Sequence, residues 1–125
     1  MQFLMLCCMD ESQWEDIPQP QRQTIMDEYG KFVEGLKKDG RYLAGAKLDQ
    51  SSRAVTVRQR SGKPVITDGP FAETKEQLGG YHVVECKDRE EAVSLALRFP
   101  TLGVGGTVEV RAIEPEFDYT SEMSK

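Results

Sequence analysis

The sequence predicts a single α+β domain whose elements run β-α-β-β-α-β, with a hairpin arm inserted ahead of the second half. Three observations carry that prediction. Residues 3–9 form an unbroken apolar run of strand length. Residues 25–36 and 92–99 repeat apolar side chains at helical spacing. The rest of residues 42–113 divides into short β-branched segments punctuated by polar and glycine turns. A chain of 125 residues has room for one domain with a sizeable core. The domain is expected over residues 1–113, followed by a polar tail over 114–125.

Each element follows from local chemistry. Residues 3–9 read as a central strand covered on at least one face. Residues 10–20 are polar and proline-bearing around the lone Trp14, and predict a loop long enough to carry function. Ile25, Met26, Tyr29, Phe32, Val33 and Leu36 make one apolar stripe, which places a helix there. Pro20 suits its start and Gly40 the left-handed position past its end. Residues 42–48 and 53–60 read as two strands joined by the turn Asp49-Gln50-Ser51-Ser52. Ser61-Gly62 then turns the chain into a short strand near residues 64–67.

In residues 80–86, Tyr81, Val83 and Glu85 alternate with His82, Val84 and Cys86, as on the two faces of a strand. Asp88 and Glu91 have capping-box spacing, ahead of a helix expected to bury Ala92, Leu95, Ala96 and Phe99 and to stop at Pro100. Residues 101–106 form a loop, and residues 107–113 a last strand with Val108, Val110 and Ala112 on one face. With the arm set aside, the arrangement is ferredoxin-like. Such a sheet carries both helices on one face and leaves the other face and an edge to cover. A homodimer is therefore expected.

Composition narrows the function. A net charge of −5 argues against binding a phosphate backbone, which normally leaves a basic footprint. Lys37, Lys38, Arg41 and Lys47 read as a solvated face. No apolar run approaches the ~20 residues of a membrane span. Residues 1–9 lack a basic leader and soon meet Asp10 and Glu11, so they read as a strand and not as a signal peptide. Cys7, Cys8 and Cys86 form no CxxC pair, as expected of reduced thiols in a cytoplasmic protein. One histidine and these cysteines do not make a zinc set, and no metal or cofactor is expected. An all-carboxylate site on Asp68 and Glu73 is the weaker alternative. Nucleotide, flavin and serine-hydrolase motifs are absent.

The densest chemistry lies in Thr67-Asp68-Gly69-Pro70-Phe71-Ala72-Glu73-Thr74-Lys75-Glu76-Gln77-Leu78-Gly79-Gly80-Tyr81. Asp68 stands before a Gly-Pro turn. Its carboxylate either accepts the N–H groups of that turn or, at a cavity mouth, serves as a general base. His82 is a packing residue or, if it meets Asp68, a proton-sharing partner near neutral pH. Glu73 and Lys75 make a solvated turn or a charged lip for a polar ligand. Phe71 reads as an anchor of the loop in the core, with ligand stacking as the alternative. Tyr81 follows a Gly-Gly pair that marks either close approach to a ligand or a bulge. Trp14 fits a cavity rim or a contact with the first helix, and Glu109 with Arg111 fits a surface ion pair.

This segment resembles, nearly letter for letter, the signature of the YCII-related family in its DGPF branch. Trp14, Leu43-Ala44-Gly45 and Val108-Glu109-Val110-Arg111 match as well, and the resemblance spans roughly residues 3–112. It implies a dimeric α/β barrel, in which two sheets face each other around a central cavity. The position after Tyr81 more commonly carries an apolar or aromatic residue in this branch, whereas here it is His82. The His–Asp pair proposed for the wider group uses a histidine elsewhere in the chain and has no counterpart here. Similar barrels include lactone isomerases and cofactor-independent monooxygenases, and genes of the branch often lie beside those of extracytoplasmic-function sigma factors. The expectation is a cofactor-free enzyme doing acid–base chemistry on a small polar molecule, with Asp68 as base and His82 or Tyr81 assisting. The alternative is a non-catalytic ligand- or protein-binding regulatory module.

Overall fold

The computed structural model describes residues 1–72 and 74–115. Strand β1 (Gln2–Met9) runs through the middle of a four-stranded antiparallel sheet, and its alternation sets the two faces. Phe3 and Met5 point into the core, while Leu4 and Leu6 point to the opposite face and are half-buried. Residues 10–20 are not the loop expected. Asp10 accepts hydrogen bonds from the backbone N–H of Ser12 (3.0 Å) and Gln13 (3.4 Å), and a short helix α1 (Glu11–Asp16) follows. An aspartate at this position satisfies N–H groups that otherwise lack partners at a helix start.

Helix α2 (Gln19–Lys38) has Pro20 in its first turn, and Gly40 beyond its end adopts φ 72°. Strand β2 (Tyr42–Lys47) pairs with the much later β5 (Gln77–Glu85) and not with its sequence neighbour. Residues 42–48 and 53–60, expected as two strands joined by a turn, are both strands but lie in different sheets. Strands β3 (Val55–Arg60) and β4 (Lys63–Asp68) pair only with each other and form the whole of the arm. A 3-10 turn at Ser51–Arg53 separates β2 from it. The reason lies in Ser61 and Gly62, both at positive φ, which close a tight reversal between β3 and β4.

Asp88 caps helix α3 (Arg89–Ala96) through the Glu91 N–H at 2.9 Å. The Glu91 carboxylate answers by accepting from the Lys87 N–H, one residue before the cap. Helix α3 ends at Ala96, four residues before Pro100. Phe99 is buried beyond it, and Pro100 opens a 3-10 turn at Pro100–Val104 where a loop was expected. Strand β6 (Thr107–Ala112) completes the sheet in the order β2-β5-β1-β6.

Leu36 of α2 and Ala92, Leu95 and Ala96 of α3 share one core with Phe3, Met5 and Val84, so both helices cover the same face. Phe99 seals that core against Phe32 at 4.9 Å and Tyr29 at 5.7 Å between ring centroids. Truncating so buried a ring typically costs about 3–5 kcal/mol. No described helix is long and apolar enough to cross a membrane.

Candidate functional site

Helix α2 presents Arg22, Met26 and Tyr29 at spacings of four and three, one stripe on one side of the helix. That stripe lies over the end of the sheet where β1 finishes and β5 begins. Between them is a cavity of about 370 Å³, walled also by Cys7, Trp14 and His82. Helix α1 brings Glu11 and Trp14 to the same space, tied to the sheet where the Glu11 N–H donates to the Gln77 side chain at 2.8 Å.

His82 is the chemical centre of this wall. It faces the helices from mid-β5, is only 7% exposed, and both ring nitrogens meet a phenol. The Tyr29 hydroxyl lies 2.5 Å from Nε2 and the Tyr42 hydroxyl 2.9 Å from Nδ1. A neutral imidazole has one N–H and one lone pair, so it donates to one tyrosine and accepts from the other. Burial pushes its pKa below the ordinary 6.5, which keeps it neutral at physiological pH. Tyr29 also meets Cys7 Sγ at 3.6 Å. Its own pKa is driven up, by burial first and then by that thiol, so it remains a phenol. Burial raises the Tyr42 and Cys7 pKa values as well.

Space for this array depends on an absent side chain. Gly45 of β2 sits directly opposite His82. A Cβ there would overlap the Tyr42 hydroxyl and approach His82 Nδ1 to 2.8 Å. Glycine at this place lets the phenol reach the ring. Gly80 answers a similar need in the sheet, because its Cβ would strike the Ala46 carbonyl oxygen at 2.9 Å. Gly79 lies at the bulge in the β1–β5 register, and both glycines of the pair also line the cavity.

The residues expected from sequence divide sharply. His82 and Trp14 line the cavity. Asp68 does not: it ends β4 on the arm, is exposed, and its side chain takes no hydrogen bond among the described residues. The proposed Asp68–His82 proton pair is therefore replaced by the two tyrosines. Phe71 is 78% exposed and no core anchor; only its carbonyl oxygen is held, by Arg58 Nη2 at 2.8 Å. Lys75 is exposed outside the cavity wall, and Glu73 lies outside the described residues. Tyr81 points to the sheet's other face, beside Leu6. Glu109 and Arg111 form the expected ion pair at 3.2 Å.

Sequence reading missed Arg22, Tyr42 and Gly45 and took Tyr29 for packing alone. The available signal was Arg22 at the end of an apolar stripe that continues through Met26 and Tyr29. The cysteines are unpaired thiols. Among the described residues, no three His, Cys, Asp or Glu side chains gather as metal ligands.

The model of the YCII-related domain matches residues 1–117 of this chain. The chain belongs to the YCII-related family. An uncharacterised protein of Rhizobium meliloti (strain 1021) is 30% identical over 114 residues, covering 90% of this chain and 92% of the relative. Among solved structures, this YCII-related protein is similar to 5-chloro-2-hydroxyhydroquinone dehydrochlorinase (TftG) from Burkholderia phenoliruptrix AC1100, in complex with 2,5-dihydroxybenzoquinone. The TM-score is 0.55 at 16% identity, over 91% of this chain and 94% of that one. At that identity the likeness is one of fold, and it bears out the mixed α+β class.

Proposed function

We propose that this YCII-related protein is a cofactor-free enzyme that moves a proton on a small polar molecule, with His82 and Tyr29 as its working pair. The observation that carries this reading is the neutral imidazole bracketed by Tyr29 and Tyr42 in the wall of a cavity. With Nδ1–H donating to Tyr42, Nε2 is the free base. Tyr29 then takes a proton from the ligand as it passes its own to Nε2, and neither phenol has to ionise alone. Burial that disfavours imidazolium also strengthens its attraction to the ligand anion formed beside it. The structural neighbour is itself an enzyme bound to a small oxygenated ring, which makes such rings sensible probes.

The strand order β2-β5-β1-β6 supports a ferredoxin-like topology, and the half-buried Leu4, Leu6, Tyr81 and Val83 on the face without helices support a homodimer. The close match of residues 68–81 supports placement in the DGPF branch, and the unpaired thiols support a cytoplasmic location. A second reading, a protein-binding module, draws on the arm, where Val57, Ile66 and Phe71 are exposed.

Proton transfer is tested by incubating the protein in heavy water with hydroxyquinones, enol lactones and β-keto acids. Deuterium entry is followed by mass spectrometry. Catalysed exchange into at least one compound is expected, falling about 100-fold or more in His82→Gln. Exchange that is absent in the wild type, or equal in the variant, sinks the enzymatic reading.

A further inference from the structure

Arg22 lines the same cavity but takes no part in the proton path. Its Nε is shielded from solvent and meets no hydrogen-bond partner among the described residues. No described ion pair holds its guanidinium either. A buried donor without an acceptor is costly, and more so when charged. Protein carboxylates nearby do not fill the need. Glu11 accepts from the backbone N–H (2.9 Å) and hydroxyl (3.0 Å) of Ser51. Asp49 pairs with Arg53 at 3.3 Å, and Glu15 is exposed.

We infer that the cavity takes a small organic monocarboxylate, anchored on Arg22 with its body against Trp14, Met26 and Tyr29. The inference rests on the proposed reading of this cavity as the active site, and it names the substrate class. The two Nη–H groups at the outer edge of a guanidinium form a planar fork that matches two carboxylate oxygens. The wall offers two cations, Arg22 and Lys47, against three carboxylates, Glu11, Glu15 and Asp49, so a phosphate dianion is repelled more strongly than a monoanion held at Arg22. Thioether, indole and phenol surfaces call for an unsaturated or aromatic body. At about 370 Å³ the space is at the small end of ligand pockets.

Trp14 is the only tryptophan of the chain, so its fluorescence reports on this cavity alone. The full chain is titrated with benzoate, its neutral isostere benzamide, and phenyl phosphate. Benzoate is expected to saturate the signal, with benzamide at least about tenfold weaker. Arg22→Gln should weaken benzoate by about 10- to 100-fold, Arg22→Lys should recover part of the loss, and Asp68→Asn should match wild type. Thermal unfolding establishes that each variant is folded. No saturable response to benzoate, equal binding of benzamide, tighter binding of phenyl phosphate, or unchanged affinity in Arg22→Gln would each overturn the inference. Benzoate bound through Arg22 in a protein that exchanges no deuterium leaves the carboxylate site standing and removes the enzymatic reading. Exchange indifferent to Arg22→Gln does the reverse.

Discussion

The arm with its signature loop and the helix-covered end of the sheet hold polar side chains in opposite surroundings. On the arm, Asp68 and Lys75 face water, and even Phe71 is exposed. Under α2, Tyr29 and Tyr42 bracket His82, and Tyr29 and His82 line the cavity. Exclusion of water strengthens each dipole and proton contact. The comparison teaches that density of chemical letters in a segment does not locate the chemistry. Its sharpest test exchanges the two candidate acid–base residues. His82→Gln should cut catalysed deuterium exchange by about 100-fold or more, while Asp68→Asn should stay within about threefold of wild type. The reverse order would return the site to the signature loop.

Glycines separate the same two regions at a smaller scale. At Gly45 an added methyl group meets the Tyr42 hydroxyl and His82, inside packed structure. At Gly62, in the tip of the arm, it meets nothing within 4 Å but sits at φ 77°. Gly45→Ala should cost about 1–3 kcal/mol of unfolding free energy by overpacking, and should impair exchange by displacing Tyr42. Gly62→Ala should cost about 1 kcal/mol through backbone strain and leave exchange intact. Urea unfolding and the exchange assay on both variants check this. Equal loss of activity in the two would remove Tyr42 from the site.

The pH dependence of stability isolates the buried ring further. The pKa of His82 in the fold lies below the 6.5 of the unfolded chain because burial penalises the cation. Above 6.5 both states are neutral and the fold keeps its full stability. As pH falls below that value the unfolded state takes up the proton first, so stability declines until the folded-state pKa is reached. Wild type should therefore lose stability relative to His82→Gln as pH falls below 6.5, in parallel urea titrations. Asp68→Asn should leave that difference in place. Parallel curves for wild type and His82→Gln would mean that the ring is hydrated.

Much of the fold was legible because periodicity is a local property. The strand alternation at Tyr81–Glu85, the stripe of α2, the left-handed Gly40 and the Asp88 cap all follow from neighbours in sequence. What escaped depends on distant contacts. Nothing near Tyr42 announces that β2 will pair with β5 and set its hydroxyl on His82, or that Gly45 makes room for it. Residues 53–60 have ordinary strand composition, and only the reversal at Ser61-Gly62 commits them to the arm. Asp68 and Phe71 stood out because they are unusual letters, yet burial, which sequence does not give, decides what such letters can do.

The smallest effect concerns the arm itself. A two-stranded ribbon is marginal in water unless something packs on it. Here Val57 and Ile66 are paired across the strands and remain 70% and 72% exposed. In an isolated chain, Val57→Thr with Ile66→Thr should shift unfolding free energy by no more than about 0.5 kcal/mol, since little apolar area is out of water to begin with. In a homodimer that lays the arm on a second copy, the same pair would cost several times that amount, and the loss would grow as protein is diluted. Unfolding at two concentrations, with sedimentation of both proteins, separates the cases. A small, concentration-independent shift keeps the arm solvent-facing and confines the molecule's specific chemistry to the cavity under α2. A large, dilution-sensitive loss makes the arm an interface, and its signature loop would then be read for contact instead of catalysis.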